Sequence, residues 1–269
     1  MIIDNCELRI VKSCSPIGVY DSGFGGLSVW QALHDALPNE SLVYLGDGKN
    51  CPYGDRTPEE IARFADEAVG RLLAKGVKMI VVACNTATAV AIKGLRERYP
   101  ELPFVGLEPA VKPACLTTRT GKVGVLATAR SLEGDHFRTT AAKYADCVEI
   151  IAAVGEGFVE IVENDAERRP ETLDRIRAVV EPMLAKGVDK IVLGCTHYPF
   201  LLEQIREVVG ERDVEIIDSG AAVERRVEQL LDEYGLRADA DHKAEYDFLT
   251  FADAEYAERL KRKAFGCRI

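Results

Sequence analysis

Residues 74–86 read AKGVKMIVVACNT and residues 185–197 read AKGVDKIVLGCTH. The two stretches lie 111 positions apart and agree at seven of thirteen places, the last of them a cysteine. In each, a short apolar run (79–83 and 191–194) ends on that cysteine, and polar residues of the kind that start helices follow. A continuous apolar run of this length is the pattern of a strand buried on both faces of a parallel sheet. Ligands of open α/β sheets bind outside the carboxyl ends of the strands. A chain that carries this unit twice aims one thiol from each half, Cys84 and Cys195, at a shared cleft.

Further strand-like runs fall at 17–20, 42–45, 104–107, 123–126, 148–151 and 214–217, separated by helix-period stretches such as 58–74, 87–98, 171–185 and 199–209. This alternation predicts an α/β fold with mainly parallel sheets. Residues 17–19 are echoed by 123–125, and 105–107 by 216–218, so the duplication reaches beyond the cysteines. The simplest architecture is two pseudo-symmetric βα domains with the active site at the interdomain cleft. Residues 1–108 with 219–269 form the first, discontinuous domain, and 109–218 form the second. The tail, with a strand at 246–251 and a basic helix ending in Lys261-Arg262-Lys263, returns to the first domain because it follows the second crossing.

Composition narrows the function. Hydrophobic residues make up 47% of 269, enough for a packed core in each domain. A formal charge of −10 argues against nucleic acid and leaves any anionic substrate to local donors. Eight cysteines without a Cys-x-x-Cys, and four scattered histidines, suggest reduced thiols and no metal site. No apolar run approaches the ~18 residues of a membrane span. Residues 1–16 carry Asp4 and Glu7 and lack the apolar stretch of a signal peptide, so a cytoplasmic protein is expected.

The motifs sit at strand ends. Asp21-Ser22-Gly23-Phe24-Gly25-Gly26 follows the first strand, and its glycines allow backbone amides to approach a ligand. Asp47, at the end of the next strand, suits a dinucleotide-binding reading, but Ser28 stands where that fingerprint needs its third glycine. Asp21 and Ser22 are either helix caps or groups near the chemistry. Cys84-Asn85-Thr86 and Cys195-Thr196-His197 each place a thiol at an expected helix N-terminus, where the helix dipole favours the thiolate. His197, two residues from Cys195, is a candidate proton partner. In Cys51-Pro52-Tyr53-Gly54 the cysteine reads as an ordinary loop thiol, while the Pro-Tyr-Gly turn can present amides to a carboxylate. Thr57 and Glu60 beyond it have capping-box spacing. Thr128 stands where Ser22 stands in the first half. Glu163 reads from the sequence as a solvated acid at a helix end.

These motifs resemble those of the glutamate racemases: DSGFGGLSV (21–29), PYG (52–54), CNTAT (84–88), GVLAT (124–128) and GCTHYPFL (194–202). The resemblance covers nearly the whole chain from residue 17. It implies that Cys84 acts on D-glutamate and Cys195 on L-glutamate, with Asp21 assisting Cys84 and with Glu163 and His197 assisting Cys195. It implies substrate contacts from Asp21, Ser22, Pro52, Tyr53, Gly54, Asn85, Thr86, Thr128 and Thr196. It further implies racemisation without pyridoxal phosphate or metal, production of D-glutamate for peptidoglycan, and a homodimer. Some members require a cell-wall precursor as activator and some bind DNA gyrase, so these are candidate partners by family analogy alone. The residues suit the chemistry independently: inversion at an α-carbon needs a base on one face and an acid on the other, and two thiols can exchange those roles. Two alternatives stand beside this reading. One is an aspartate racemase with the same two-thiol plan; the other is a non-catalytic sensor that closes over an amino acid.

Overall fold

The structure is a computed structural model that describes residues 12–266. The expectations that touch residues 1–11 and 267–269, including the reading of the N-terminal stretch, lie outside the described residues. Among the described residues, nine strands form two parallel sheets. The first sheet contains β1 (Ile17–Asp21), β2 (Leu42–Gly46), β3 (Met79–Val82), β4 (Phe104–Gly106) and, from the tail, β9 (Tyr246–Thr250); the second contains β5 (Lys122–Ala127), β6 (Glu149–Val154), β7 (Lys190–Gly194) and β8 (Glu215–Ile217). Their orders are β4-β3-β1-β2-β9 and β6-β5-β7-β8. Read from the other edge, the second sheet runs β8-β7-β5-β6, which is the first sheet's order without its last strand. The repeated segments occupy equivalent positions, β3 beside β1 and β7 beside β5.

Every residue of β1, β2, β3 and β7 is buried, as expected for runs with no polar alternation and helices on both faces. In each half the chain moves outward to one side of the first strand and then returns to its other side. The point where strand order reverses therefore lies between β1 and β3, and again between β5 and β7, and that is where the ends of adjacent loops leave a crevice. One apolar cluster joins the two halves. Phe24 from the Gly-rich turn and Leu27 and Trp30 from the helix Leu27–Ala36 pack in it together with Phe158, Val162 and Tyr198 of the second half.

Two local readings need correcting. The 199–209 stretch is not a single helix: a 3-10 turn, Tyr198–Leu201, precedes the α-helix Leu202–Val209, so Cys195 is not at an α-helix N-terminus. Cys84, by contrast, is the N-cap of the 14-residue helix Asn85–Arg98. At Thr57 the capping box forms in both directions, Glu60 N to Thr57 Oγ1 at 3.3 Å and Thr57 N to Glu60 Oε2 at 2.9 Å.

Candidate active site

The two reversal points face one another across a cavity of about 340 Å³, lined from the first half by Ser22, Cys84 and Asn85 and from the second by Thr128, Cys195 and His197. A larger cavity, about 450 Å³, lies behind it beside the helix Leu27–Ala36 and also reaches Asn85, Cys195 and Thr196. Only the smaller one is lined by both thiols, so the chemistry belongs there.

In the first arm, Cys84 is 4% exposed. Its Sγ accepts from the Ala87 amide at 3.4 Å and donates to Ser22 Oγ at 3.7 Å. Burial and the nearby Asp21 carboxylate push the thiol well above its ordinary value, outweighing the helix-end amide and Ser22. The helix N-terminus therefore does not by itself supply a thiolate here. Asp21 is fully buried, and its Oδ2 accepts from the amides of Gly23 at 3.1 Å and Gly26 at 2.9 Å. Burial raises its pKa, with His197 and the two amides opposing. A carboxyl poised in this way is suited to hold a proton beside the sulfur.

In the second arm, Cys195 Sγ lies 3.8 Å from His197 Nδ1, and His197 Nε2 lies 2.7 Å from Glu163 Oε1. The short carboxylate contact places the ring proton on Nε2 and turns Nδ1 toward the thiol. The Gly25 amide nitrogen, 3.3 Å from the same Nε2, competes only when that atom carries no proton. Burial disfavours a charged ring, but hydrogen bonds with Cys195, Cys51 and Glu163 outweigh it and hold His197 well above its ordinary pKa. Burial likewise opposes charge on Glu163, yet His197, the Phe24 amide and Tyr256 keep it below the usual carboxylate range. Glu163 is thus no solvated acid. It crosses from the helix Phe158–Glu163 to accept from Phe24 N of the first half at 2.6 Å.

That crossing explains two glycines. A Cβ at Gly23 would lie 2.0 Å from Glu163 Oε1, and one at Gly25 would lie 2.3 Å from His197 Nδ1. The Gly-rich turn admits the other half's side chains as closely as it could admit a ligand.

The remaining candidates ring the cavity. Thr86 Oγ1 meets Thr128 Oγ1 at 3.1 Å, linking the halves, and Ser131 Oγ accepts from Thr128 at 2.9 Å. Thr196 Oγ1 donates to Asp21 Oδ1 at 3.4 Å, which ties the arms together. Asn85 is buried and its Nδ2 has no protein partner, so this donor is available to an acceptor in the cavity. Pro52, Tyr53 and Gly54 form the turn opposite Thr128. The Tyr53 hydroxyl is engaged by Tyr20 at 2.7 Å and by Asp47 at 2.6 Å, which leaves its backbone to face a ligand and gives Asp47 a structural partner. Sequence reading missed Ser131, Tyr256 and the position of Cys51. Cys51 is half-buried, its sulfur lies within 4.8 Å of the His197 ring and the Glu163 carboxylate, and its thiol is pushed up to about 12 chiefly by burial. A serine three residues beyond Thr128, the spacing of a capping side chain, was the one available signal. Cys51, Glu163 and His197 also form a group of metal-capable donors within 4.8 Å. Glu163 and His197, however, face one another at 2.7 Å, closer than the roughly 3.3 Å between two ligands of one zinc ion.

The family described as Asp/Glu/Hydantoin racemase matches residues 22–227. A glutamate racemase of Roseiflexus sp. is 46% identical over 84% of this chain and 82% of its own length. Among solved structures, a glutamate racemase from Bacillus anthracis superposes with a TM-score of 0.84 at 32% identity, covering 95% of both chains. The Escherichia coli glutamate racemase in complex with L-glutamate and the activator UDP-MurNAc-Ala superposes at 0.81 with 32% identity, covering 91% of this chain and 92% of that one.

Proposed function

From the premise that the chain belongs to the Asp/Glu/Hydantoin racemase family, within its glutamate racemases, we propose that it interconverts L- and D-glutamate by two opposed thiols and without a cofactor. The observation that carries this is one cavity lined by Cys84 from the first half and Cys195 from the second. With D-glutamate bound, the Cys84 thiolate takes the α-proton. The electron pair left on the α-carbon is delocalised into the α-carboxylate, and the Cys195 thiol delivers its proton to the opposite face. Cys84 then holds a proton and Cys195 is the thiolate, ready for L-glutamate. Asp21 and His197 restore the starting protonation between turnovers, with Glu163 behind His197. The α-proton of an amino acid is weakly acidic, so the carboxylate charge that grows in the transition state needs fixed donors in a dry site. Ser22, Asn85, Thr86, Thr128 and Thr196, with the amides of the Pro52–Gly54 turn, are placed to supply them.

In the same reading, residues 1–108 with 219–269 and residues 109–218 are the two bodies that close over glutamate. The protein works as a homodimer in the cytoplasm, and its D-glutamate enters peptidoglycan. No helix among the described residues is long and apolar enough to cross a membrane. A cell-wall precursor could act here as it does in the E. coli complex.

The test is optical rotation of purified protein with D-glutamate alone. Loss of rotation to zero without added pyridoxal phosphate, and in the presence of chelator, is expected. Aspartate, one methylene shorter, should react far more slowly. Activity that returns only with pyridoxal phosphate, or aspartate turned over as fast as glutamate, would refute the proposal.

A further inference from the structure

Glu163 is anchored on the side away from His197 by the tail. The helix Ala254–Gly266 presents three side chains to the end of the Glu163 helix, at positions one and two turns apart. Tyr256 Oη donates to Glu163 Oε2 at 2.7 Å, and Arg259 donates to the Glu163 carbonyl at 2.5 Å and to Asp165 at 2.8 Å. Lys263 reaches Asp165 at 2.8 Å and Glu167 at 2.6 Å. Only Tyr256 touches the carboxylate that holds His197.

We propose that Tyr256 is a positioning residue for the Cys195 arm, fixing the Glu163 carboxylate so that His197 Nε2–H stays on Glu163 and Nδ1 stays toward Cys195. The inference rests on the two-thiol reading above. The last torsion of a glutamate is broad and nearly two-fold, so a carboxylate held at one oxygen can rock or exchange its oxygens. Here Oε1 serves two donors, the Phe24 amide and His197, and needs one orientation to serve both. A third donor on Oε2 sets that orientation.

The tyrosine is itself held in place. Its ring stacks on Phe24 at 4.6 Å and 18°, and its amide donates to Asp253 Oδ1 at 2.9 Å. A Cβ at Gly48 would lie 2.6 Å from its ring. Burial and the Glu163 charge hold the phenol far above its ordinary pKa, so it remains a donor wherever the enzyme operates. Phenylalanine would keep the stack, so the hydroxyl is the only part that the packing does not account for.

The test compares Tyr256→Phe with wild type in the full-length, ligand-free protein, following the His197 ring nitrogens by NMR through a pH titration. Loosening Glu163 should lower the His197 midpoint by about half a unit to one unit and, in the neutral ring above that midpoint, move part of the remaining proton from Nε2 to Nδ1. The value of kcat/KM should fall on the order of tenfold in both directions, the loss typical of an outer partner that orients a reactive group. An unchanged midpoint and tautomer in Tyr256→Phe, with impairment appearing only in Tyr256→Leu, would overturn the proposal and leave the ring as packing. The titration needs no substrate. A wild-type protein without racemase activity would therefore count against the two-thiol reading, while the NMR result still decides the link from Tyr256 to His197.

Discussion

Cys84 and Cys195 stand at equivalent points of a duplicated fold, yet their surroundings share almost nothing. Cys84 caps a 14-residue helix and has a buried carboxyl, Asp21, for a neighbour. Cys195 is followed by a 3-10 turn and has instead an imidazole backed by a carboxylate. The strand that delivers the sulfur is alike in the two halves, while the titratable neighbour of each thiol differs. The difference suits a reaction with two unequal requirements. In the proposed reaction one thiol must be ionised and the other protonated before D-glutamate reacts, and identical surroundings would favour the same state in both. Thr196, donating to Asp21 while standing next to His197, gives the two arms a physical connection.

The largest effects should come from the thiols. Cys84→Ala and Cys195→Ala should each lower racemisation by at least about 10³-fold, and their remaining chemistry should differ. Cys195→Ala keeps the base that faces D-glutamate, so it should exchange the α-proton of the D enantiomer with solvent and leave the L enantiomer untouched. Cys84→Ala should do the reverse. Exchange of both enantiomers by either variant would break the assignment of one face to each arm.

The proton partners should show smaller effects that separate the arms more finely. Enantiomers have equal free energies in water, so kcat/KM must be the same in both directions for any variant. His197→Asn and Asp21→Asn should therefore each lower both values by a common factor, on the order of 10²-fold, and differ in which direction loses kcat.

Their stabilities should move oppositely with pH. The folded pKa of His197 is raised by its partners. Its contribution is therefore complete below the unfolded value of about 6.5 and lost as pH rises through the folded one. His197→Asn should lower Tm most near pH 6, less at higher pH. Asp21 is raised chiefly by burial, so its charge opposes folding above that raised value, and the opposition fades as pH falls toward the unfolded value of about 3.9. Asp21→Asn can keep the amide contacts from Gly23 and Gly26 through its side-chain oxygen. It should raise Tm at neutral pH, with the gain shrinking toward pH 4. Thermal melts across this range would show the opposite trends or refute them.

The two arms were also unequally legible. The apolar runs before Cys84 and Cys195 identified β3 and β7, because a strand buried on both faces leaves an uninterrupted apolar signature. The strand expected at 246–251 forms as Tyr246–Thr250 and pairs with β2 in the first sheet. His197 could be suspected from its spacing to Cys195. What failed to show was the environment of each thiol. The helix expected to start at Cys195 begins instead at Leu202, since the Tyr198-Pro199 segment forms a 3-10 turn first. Glu163 looks like a surface acid because its partners, Phe24 and Tyr256, lie 139 and 93 positions away in sequence. Cys51 and Ser131 were missed for the same reason. Their importance comes from packing across the cleft, which local pattern does not encode.

The claim that each thiol owns one face of the substrate is tested most directly by isotope at early conversion. D-Glutamate with its natural α-proton is incubated with the enzyme in deuterated water, and both enantiomers are recovered before about a tenth has turned over, early enough to limit return from product. The L-glutamate formed should carry deuterium at the α-carbon, because the delivering thiol exchanges with solvent, while the unreacted D-glutamate keeps its proton. L-Glutamate that retains the substrate's own proton, or deuterium entering the D-glutamate pool as fast as product forms, would mean that a single base serves both faces and would contradict the account.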